Sequence, residues 1–236
     1  MIATLVLLGT WIFLGLPVAI VTIPWTIITR DILPLYRAGM IVVRLGLRFA
    51  GIRIDAVWQQ PLDPSRRYIF LANHISNLDP PILIPLLPLR VAVVLKRSLM
   101  KIPVLGWAMR LGNFVPVDRD GRVESAIESV EIAKRTLASG VHILSFPEGT
   151  RSRDGRLQPF KKGPFYMAME SGAPIIPISI YGTENMMKKG SVRIDPGTAH
   201  VIFHSVMEPG NYATREDLLA AVQETISSGL PEWMRA

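Results

Sequence analysis

The first 29 residues carry no charged side chain. As one helix rising 1.5 Å per residue they would match a hydrocarbon core ~30 Å thick. This run is predicted to attach the chain to a membrane. Gly15, Pro17 and Pro24 interrupt it, so a bent span and two short helices within one leaflet both fit the pattern. A cleaved signal peptide fits less well, because no Lys or Arg precedes the apolar stretch and the stretch is long. From Leu33 to Ala50 the pattern turns amphipathic: Arg37, Arg44 and Arg48 share a helical face with Ile41, and Gly51 supplies a stop. A solvated arginine face is the plain reading. Directly after an uncharged segment, the same stripe suits anionic headgroups and a cytoplasmic domain.

Beyond residue 51 strand-like and helix-like patterns alternate. Strands are predicted at 52–58, 68–73, 91–95, 114–117, 142–146, 175–181, 192–195 and 199–206, several as short apolar runs suited to a buried sheet. Helices are predicted at 80–87, 104–111, 123–139, 163–171 and 215–228. The 123–139 segment places Ala126, Val130, Ala133 and Leu137 on one face and ends at Gly140, while Thr214 and Asp217 form a capping-box pattern. The alternation implies an α/β fold: a mixed sheet flanked by helices, with an N-terminal hydrophobic helical attachment segment. We divide the chain into attachment helices at 1–51 and an α/β domain at 52–236.

Composition narrows the chemistry. With 236 residues, 49% of them hydrophobic, the chain can bury one sizeable core. It has no cysteine, which excludes disulfide scaffolds, thiolate zinc sites and cysteine nucleophiles. Lys and Arg exceed Asp and Glu by 26 to 19, giving +7 and a pI near 10.0. That balance favours anionic partners. Nucleic acid is the weaker choice, since no reader motif is present and aromatics make up only 8%. Gly-x-Ser-x-Gly and the glycine-rich phosphate loops are absent as well. His200 and His204 have a metal-like spacing but lie in an apolar β-rich run without an obvious third ligand.

Two constellations remain. Asn73-His74-Ile75-Ser76-Asn77-Leu78-Asp79-Pro80 follows an apolar strand. Five residues separate His74 from Asp79, about 140° on a helix and opposite faces on a strand, so only a turn brings them together. Ser76-Asn77 supplies turn chemistry. The carboxylate would then hold one imidazole nitrogen, leaving the other to take a proton from a hydroxyl. The plainer alternative makes Asp79 the N-cap of a helix beginning at Pro80 and His74 an ordinary polar residue; one carboxylate can also do both. The second constellation, Phe146-Pro147-Glu148-Gly149-Thr150-Arg151-Ser152, ends another strand. Strand ends are usual ligand positions in α/β sheets, and Arg151 is the leading phosphate ligand. A polar surface turn with Asp154-Gly155 at its tip is the alternative. Lys161-Lys162 adds charge before a helix start. Between Arg90 and Arg122, seven basic residues interleave with apolar ones and Trp107, a pattern that suits a lipid surface, a phosphate site or a solvated face.

Four ordered blocks between about 68 and 182 resemble the glycerolipid acyltransferases, in particular those acting on 1-acylglycerol 3-phosphate in bacteria. They are His74 through Asp79-Pro80; Lys96-x2-Leu99-x3-Pro103-x2-Gly106 with Pro116-Val117-Asp118-Arg119; Phe146 to Ser152; and Ile176-Pro177-Ile178. The resemblance implies transfer of a fatty acyl group from acyl-CoA or acyl carrier protein to the sn-2 hydroxyl of 1-acylglycerol 3-phosphate, lysophosphatidic acid, giving phosphatidic acid. It makes His74 the base and Asp79 its orienter. It assigns Arg119, Glu148, Gly149, Thr150 and Arg151 to the phosphate and glycerol, and puts Lys96 near the thioester or phosphate. It implies no cofactor, no metal and no covalent enzyme intermediate. The partners are membrane phospholipid, lysophosphatidic acid and the acyl donor, with no nucleic acid, at the cytoplasmic face of the inner membrane. The rivals are an acyltransferase for another lysolipid acceptor and a catalytically silent anionic-lipid-binding protein.

Overall fold

Three apolar runs, Ile69–Ala72 (β2), His142–Ser145 (β5) and Ile175–Tyr181 (β6), are buried almost throughout, as strands covered on both faces must be. In a computed structural model that describes residues 1–87, 90–117 and 123–235 they form the middle of a seven-stranded mixed sheet. The other strands are Ile52–Trp58 (β1), Val91–Lys96 (β3), Val115–Val117 (β4) and Gly197–Phe203 (β7), and the order is β1-β7-β6-β2-β5-β3-β4. β2 runs parallel to both β5 and β6, and β3 parallel to β5 and β4; β7 is antiparallel to β6 and parallel to β1. Five strands therefore end on one edge of the sheet, and both constellations lie there.

Helices cover both faces. Leu47 from Leu33–Phe49 (α2), Ile82 and Leu83 from Asp79–Leu83 (α3) and Met186 from Thr183–Met186 (α7) pack on one side. Val130, Ala133 and Leu137 of Val123–Ala138 (α5), Phe165 of Gly163–Ser171 (α6) and Leu218, Val222 and Ile226 of Arg215–Ser228 (α8) pack on the other. The side chain of Ala126 lies outside the described residues. Gly140, at φ 84, turns the chain after α5. The expected capping box opens α8: the Thr214 hydroxyl accepts from the Asp217 N–H, and the Asp217 carboxylate accepts from the Thr214 N–H.

Two expectations fail. Residues 192–195 are not a strand. The Ile194 N–H donates to Thr4 Oγ1 at 2.8 Å and the Asp195 N–H to the Met186 carbonyl at 2.9 Å, so these groups find partners away from any ladder. The helix expected over 80–87 stops at Leu83 and tightens into a 3₁₀ turn at Ile84–Leu86, where Pro85 supplies no N–H.

The N-terminal run is one helix, Ile2–Thr29 (α1), continuous through Pro17 and Pro24. α2 returns beside it, with Arg37, Ile41, Arg44 and Arg48 all exposed. A β-carbon at Gly46 would overlap the Trp11 indole, so glycine there permits the close approach. α1 is tied to the domain near both ends: at Thr4 through Ile194, and at Ala19 and Ile23, which pack with Ala108 and Leu111 of Leu105–Leu111 (α4). It is long and apolar enough to cross a membrane, and only 17% of its most apolar stretch is buried. Phe13, Ile20 and Ile28 are among its exposed apolar side chains.

Candidate active site

β2 ends at Ala72, but its pairing continues through a side chain. The Asn73 amide donates to the Ile180 carbonyl and accepts from the Ile180 N–H, both at 2.8 Å, imitating one more strand residue beside β6. The chain then leaves the sheet at His74 and curls around one carboxylate. Asp79 Oδ2 accepts from the Ile75 N–H, the Ser76 N–H and His74 Nδ1, each at 2.8 Å, while Oδ1 accepts from the Thr183 hydroxyl at 2.6 Å. Asp79 is wholly buried. It opens α3 without capping it, since Leu78 is the N-cap and no side chain caps that end. Both roles were open in the sequence; the structure gives the carboxylate to the turn and the imidazole.

This arrangement fixes the base. With Nδ1–H donated to Asp79, the lone pair lies on Nε2, which meets no hydrogen-bond partner among the described residues. The His74 ring stacks on Phe146, with centroids 4.2 Å apart, and its side chain keeps 16% exposure. The imidazole is thus oriented from one side, braced on one face and open to a substrate at one nitrogen.

The Phe146 to Ser152 loop is laced to the same turn. Glu148 accepts from the His74 N–H at 2.7 Å and from the Gln158 N–H at 3.3 Å, and the Ser152 N–H donates to the His74 carbonyl at 2.9 Å. Gly149 sits at φ 71, which a side chain would strain. Thr150 is exposed and Arg151 partly buried. Guanidinium nitrogen Nη1 of Arg151 is buried with no partner among the described residues. A buried N–H of that kind is costly unless something accepts from it.

Glu148, which the resemblance assigns to the phosphate and glycerol, is turned into the protein. Its carboxyl points inward to two backbone N–H groups and is 2% exposed, so it holds the two loops together. Lys96 ends β3 on the same sheet edge with an exposed side chain. The glycine of its block is required: a β-carbon at Gly106 would overlap the Met100 carbonyl. Arg119 and Arg122 lie outside the described residues. Lys161 runs beside Gly149, and Lys162 pairs with Glu216 at 2.9 Å. The two spaced histidines have separate partners, His200 with Asp55 at 3.2 Å and His204 with Ser179 at 2.8 Å.

A sequence model of the Acyltransferase family matches residues 53–181, which hold the sheet edge, both loops and the His74–Asp79 pair. The chain belongs to the acyltransferase family. It is 38% identical over 155 residues to a chloroplastic 1-acyl-sn-glycerol-3-phosphate acyltransferase of Brassica napus, covering 64% of this chain and 42% of that protein. It is 33% identical over 180 residues to a 1-acyl-sn-glycerol-3-phosphate acyltransferase of Limnanthes douglasii, covering 76% and 62%. It thus spans less than two thirds of the length of these relatives. Among solved structures it resembles the 1-acyl-sn-glycerophosphate acyltransferase PlsC of Thermotoga maritima, with a TM-score of 0.80, 28% identity, and coverage of 97% of this chain and 93% of that one.

Three groups of this acyltransferase site escaped the sequence: Thr183, Lys189 and the inward role of Glu148. Thr183 and Lys189 follow β6 and reach the site only through the parallel pairing of β6 with β2. Burial first of all pushes the Glu148 carboxyl up to about 8 from its ordinary 4.5; the Asp79 carboxylate adds to this, and the two N–H groups and Lys189 oppose it. The folded value lies above the unfolded one, so the stability tied to protonated Glu148 is complete below about 4.5 and is lost as pH rises through about 8. Urea unfolding of wild-type and Glu148→Gln protein should show the wild type losing stability relative to the variant between about pH 4.5 and 8, with no further loss above that. A stability gap that stays constant with pH contradicts this.

Proposed function

We propose that this protein acylates the free sn-2 hydroxyl of 1-acylglycerol 3-phosphate with a fatty acyl thioester, acyl-CoA or acyl carrier protein, to give phosphatidic acid. The observation that carries the proposal is a histidine with Nδ1 held by a fully buried carboxylate and Nε2 left open. Nε2 takes the hydroxyl proton as the oxygen attacks the thioester carbonyl. The new C–O bond forms, the tetrahedral intermediate collapses, the C–S bond breaks, and the imidazolium returns its proton to the departing thiolate. Asp79 stabilises the imidazolium in between. The reaction calls for no cofactor beyond the thioester substrate.

Arg151 is the phosphate ligand in this reading, because its unpartnered Nη1 matches a phosphate oxygen. Gly149 and Thr150 line the approach, and Lys96 contributes positive charge from the end of β3; the resemblance adds Arg119 to the phosphate ligands. The named activity of the relatives supports this choice of acceptor. With both ends against one domain, α1 lies along the cytoplasmic face of the membrane, buried in one leaflet by its outer apolar side; the exposed Leu105 and Trp107 of α4, and Leu99, Ile102 and Val104 just before it, offer further apolar surface. Release from vesicles by concentrated salt alone would contradict this attachment, since apolar burial is not screened.

The function is tested by offering purified protein a labelled acyl donor and a panel of lysolipids, with wild-type and Arg151→Ala protein side by side. Wild-type protein should prefer 1-acylglycerol 3-phosphate. Loss of a charge-assisted contact should raise the KM for that acceptor roughly ten- to a hundredfold and leave the KM for the donor within about twofold. If only the donor's KM rises, Arg151 serves the other substrate; preference for an acceptor without phosphate removes the proposal.

A further inference from the structure

The segment after β6 borders the His74–Asp79 turn and the Arg151 loop, and it is tied in at several points. Thr183 donates to Asp79, Ser76 Oγ donates to the Met187 carbonyl at 2.9 Å, and the Asp195 N–H donates to the Met186 carbonyl at 2.9 Å. Two residues beyond Met187, the partly buried Lys189 directs Nζ to the Arg151 carbonyl at 2.6 Å. Its charge is felt by Glu148, the carboxyl beneath the same loop. Lys188, in contrast, is exposed. An ammonium has three donors, and the Arg151 carbonyl takes one. Two cations therefore stand at one loop, the Arg151 guanidinium with an unpartnered buried nitrogen and the Lys189 ammonium with donors to spare.

Resting on the acceptor reading above, we infer that Lys189 is a second ligand to the acceptor's phosphate and selects a phosphate monoester over a phosphodiester headgroup. A monoester carries about −1.5 to −2 near pH 7, its second ionisation lying near 6. A diester carries one negative charge and has lost one terminal oxygen to its second ester link. One guanidinium satisfies the single charge. A second cation brings its full electrostatic return only against a dianion, and an unmet charge there disfavours a larger, less charged headgroup. The bond to the Arg151 carbonyl holds the ammonium at the loop that carries the guanidinium, and on this inference one phosphate meets both.

The test compares 1-acylglycerol 3-phosphate with 1-acylglycerophosphoglycerol, each as acceptor and as competitor, in wild-type, Lys189→Met and Lys189→Arg protein. Methionine keeps the length and apolar stem without the charge. Lys189→Met should weaken the monoester roughly tenfold or more, change the diester by less than about threefold, and leave the donor's KM unaltered. Lys189→Arg should restore most of the preference. Wild-type preference for the monoester should rise as pH increases through about 6, and this rise should flatten in Lys189→Met. A purely structural tie predicts equal losses with both lysolipids and no change in the pH dependence; either result overturns the inference. The wild-type pH dependence tests it even if Lys189→Met does not fold. If wild-type protein acylates neither lysolipid, the acceptor reading itself falls, and this inference with it.

Discussion

His74→Ala protein should fold, retain its lysolipid affinity and turn over about 10²–10⁴-fold more slowly than wild type, the range that general-base assistance supplies. The imidazole is the partly exposed member of the pair, it contributes no side-chain hydrogen bond except that to Asp79, and its backbone N–H and carbonyl remain bonded to Glu148 and Ser152 whatever the side chain. The loss should therefore appear in kcat, with the thermal midpoint little changed. Near-normal turnover by folded His74→Ala protein would remove the mechanism.

Asp79→Asn should give the second-largest loss, about 10²-fold or more in kcat, with acceptor KM close to wild type. Alanine is the wrong probe: it would strand the Ile75 and Ser76 N–H groups, each costing about 1–3 kcal/mol when buried without a partner. Asparagine keeps the size and one oxygen for these donors and can turn its amide N–H towards Thr183, whose hydroxyl then accepts. It removes the negative charge that stabilises the imidazolium. If Asp79→Asn matches wild type in kcat, the carboxylate serves the turn alone and its electrostatic role is wrong.

Much of this was legible in the sequence because local physics decided it. The β1 and β6 spans, the α6 and α8 spans and the capping box at Thr214 and Asp217 follow from apolar periodicity and cap chemistry that adjacent residues carry. The His74–Asp79 pair was legible as well, since five residues in a turn can meet and in a helix or strand cannot. The strand expected at 192–195 fails because Val192, Ile194 and their neighbours carry a strand-like pattern while their partners are a helix side chain and a distant carbonyl. The inward turn of Glu148 was hidden for a related reason. Its position beside Gly149 and Arg151 suggests an exposed loop, and only tertiary packing turns it inward onto the His74 N–H. Thr183 lies 104 residues from Asp79 and Lys189 lies 38 from Arg151, separations at which spacing carries no signal.

The central claim is that His74 activates an acceptor hydroxyl for direct attack on the thioester, with no acyl group resting on the protein. Mixing purified protein with labelled acyl-CoA in the absence of acceptor, quenching, and measuring intact protein mass together with free thiol tests this most directly. The expected result is unmodified protein and no thiol release until 1-acylglycerol 3-phosphate is added, followed by stoichiometric thiol and phosphatidic acid labelled at sn-2. Labelled protein, or thiol released in a burst before any acceptor is present, would contradict it.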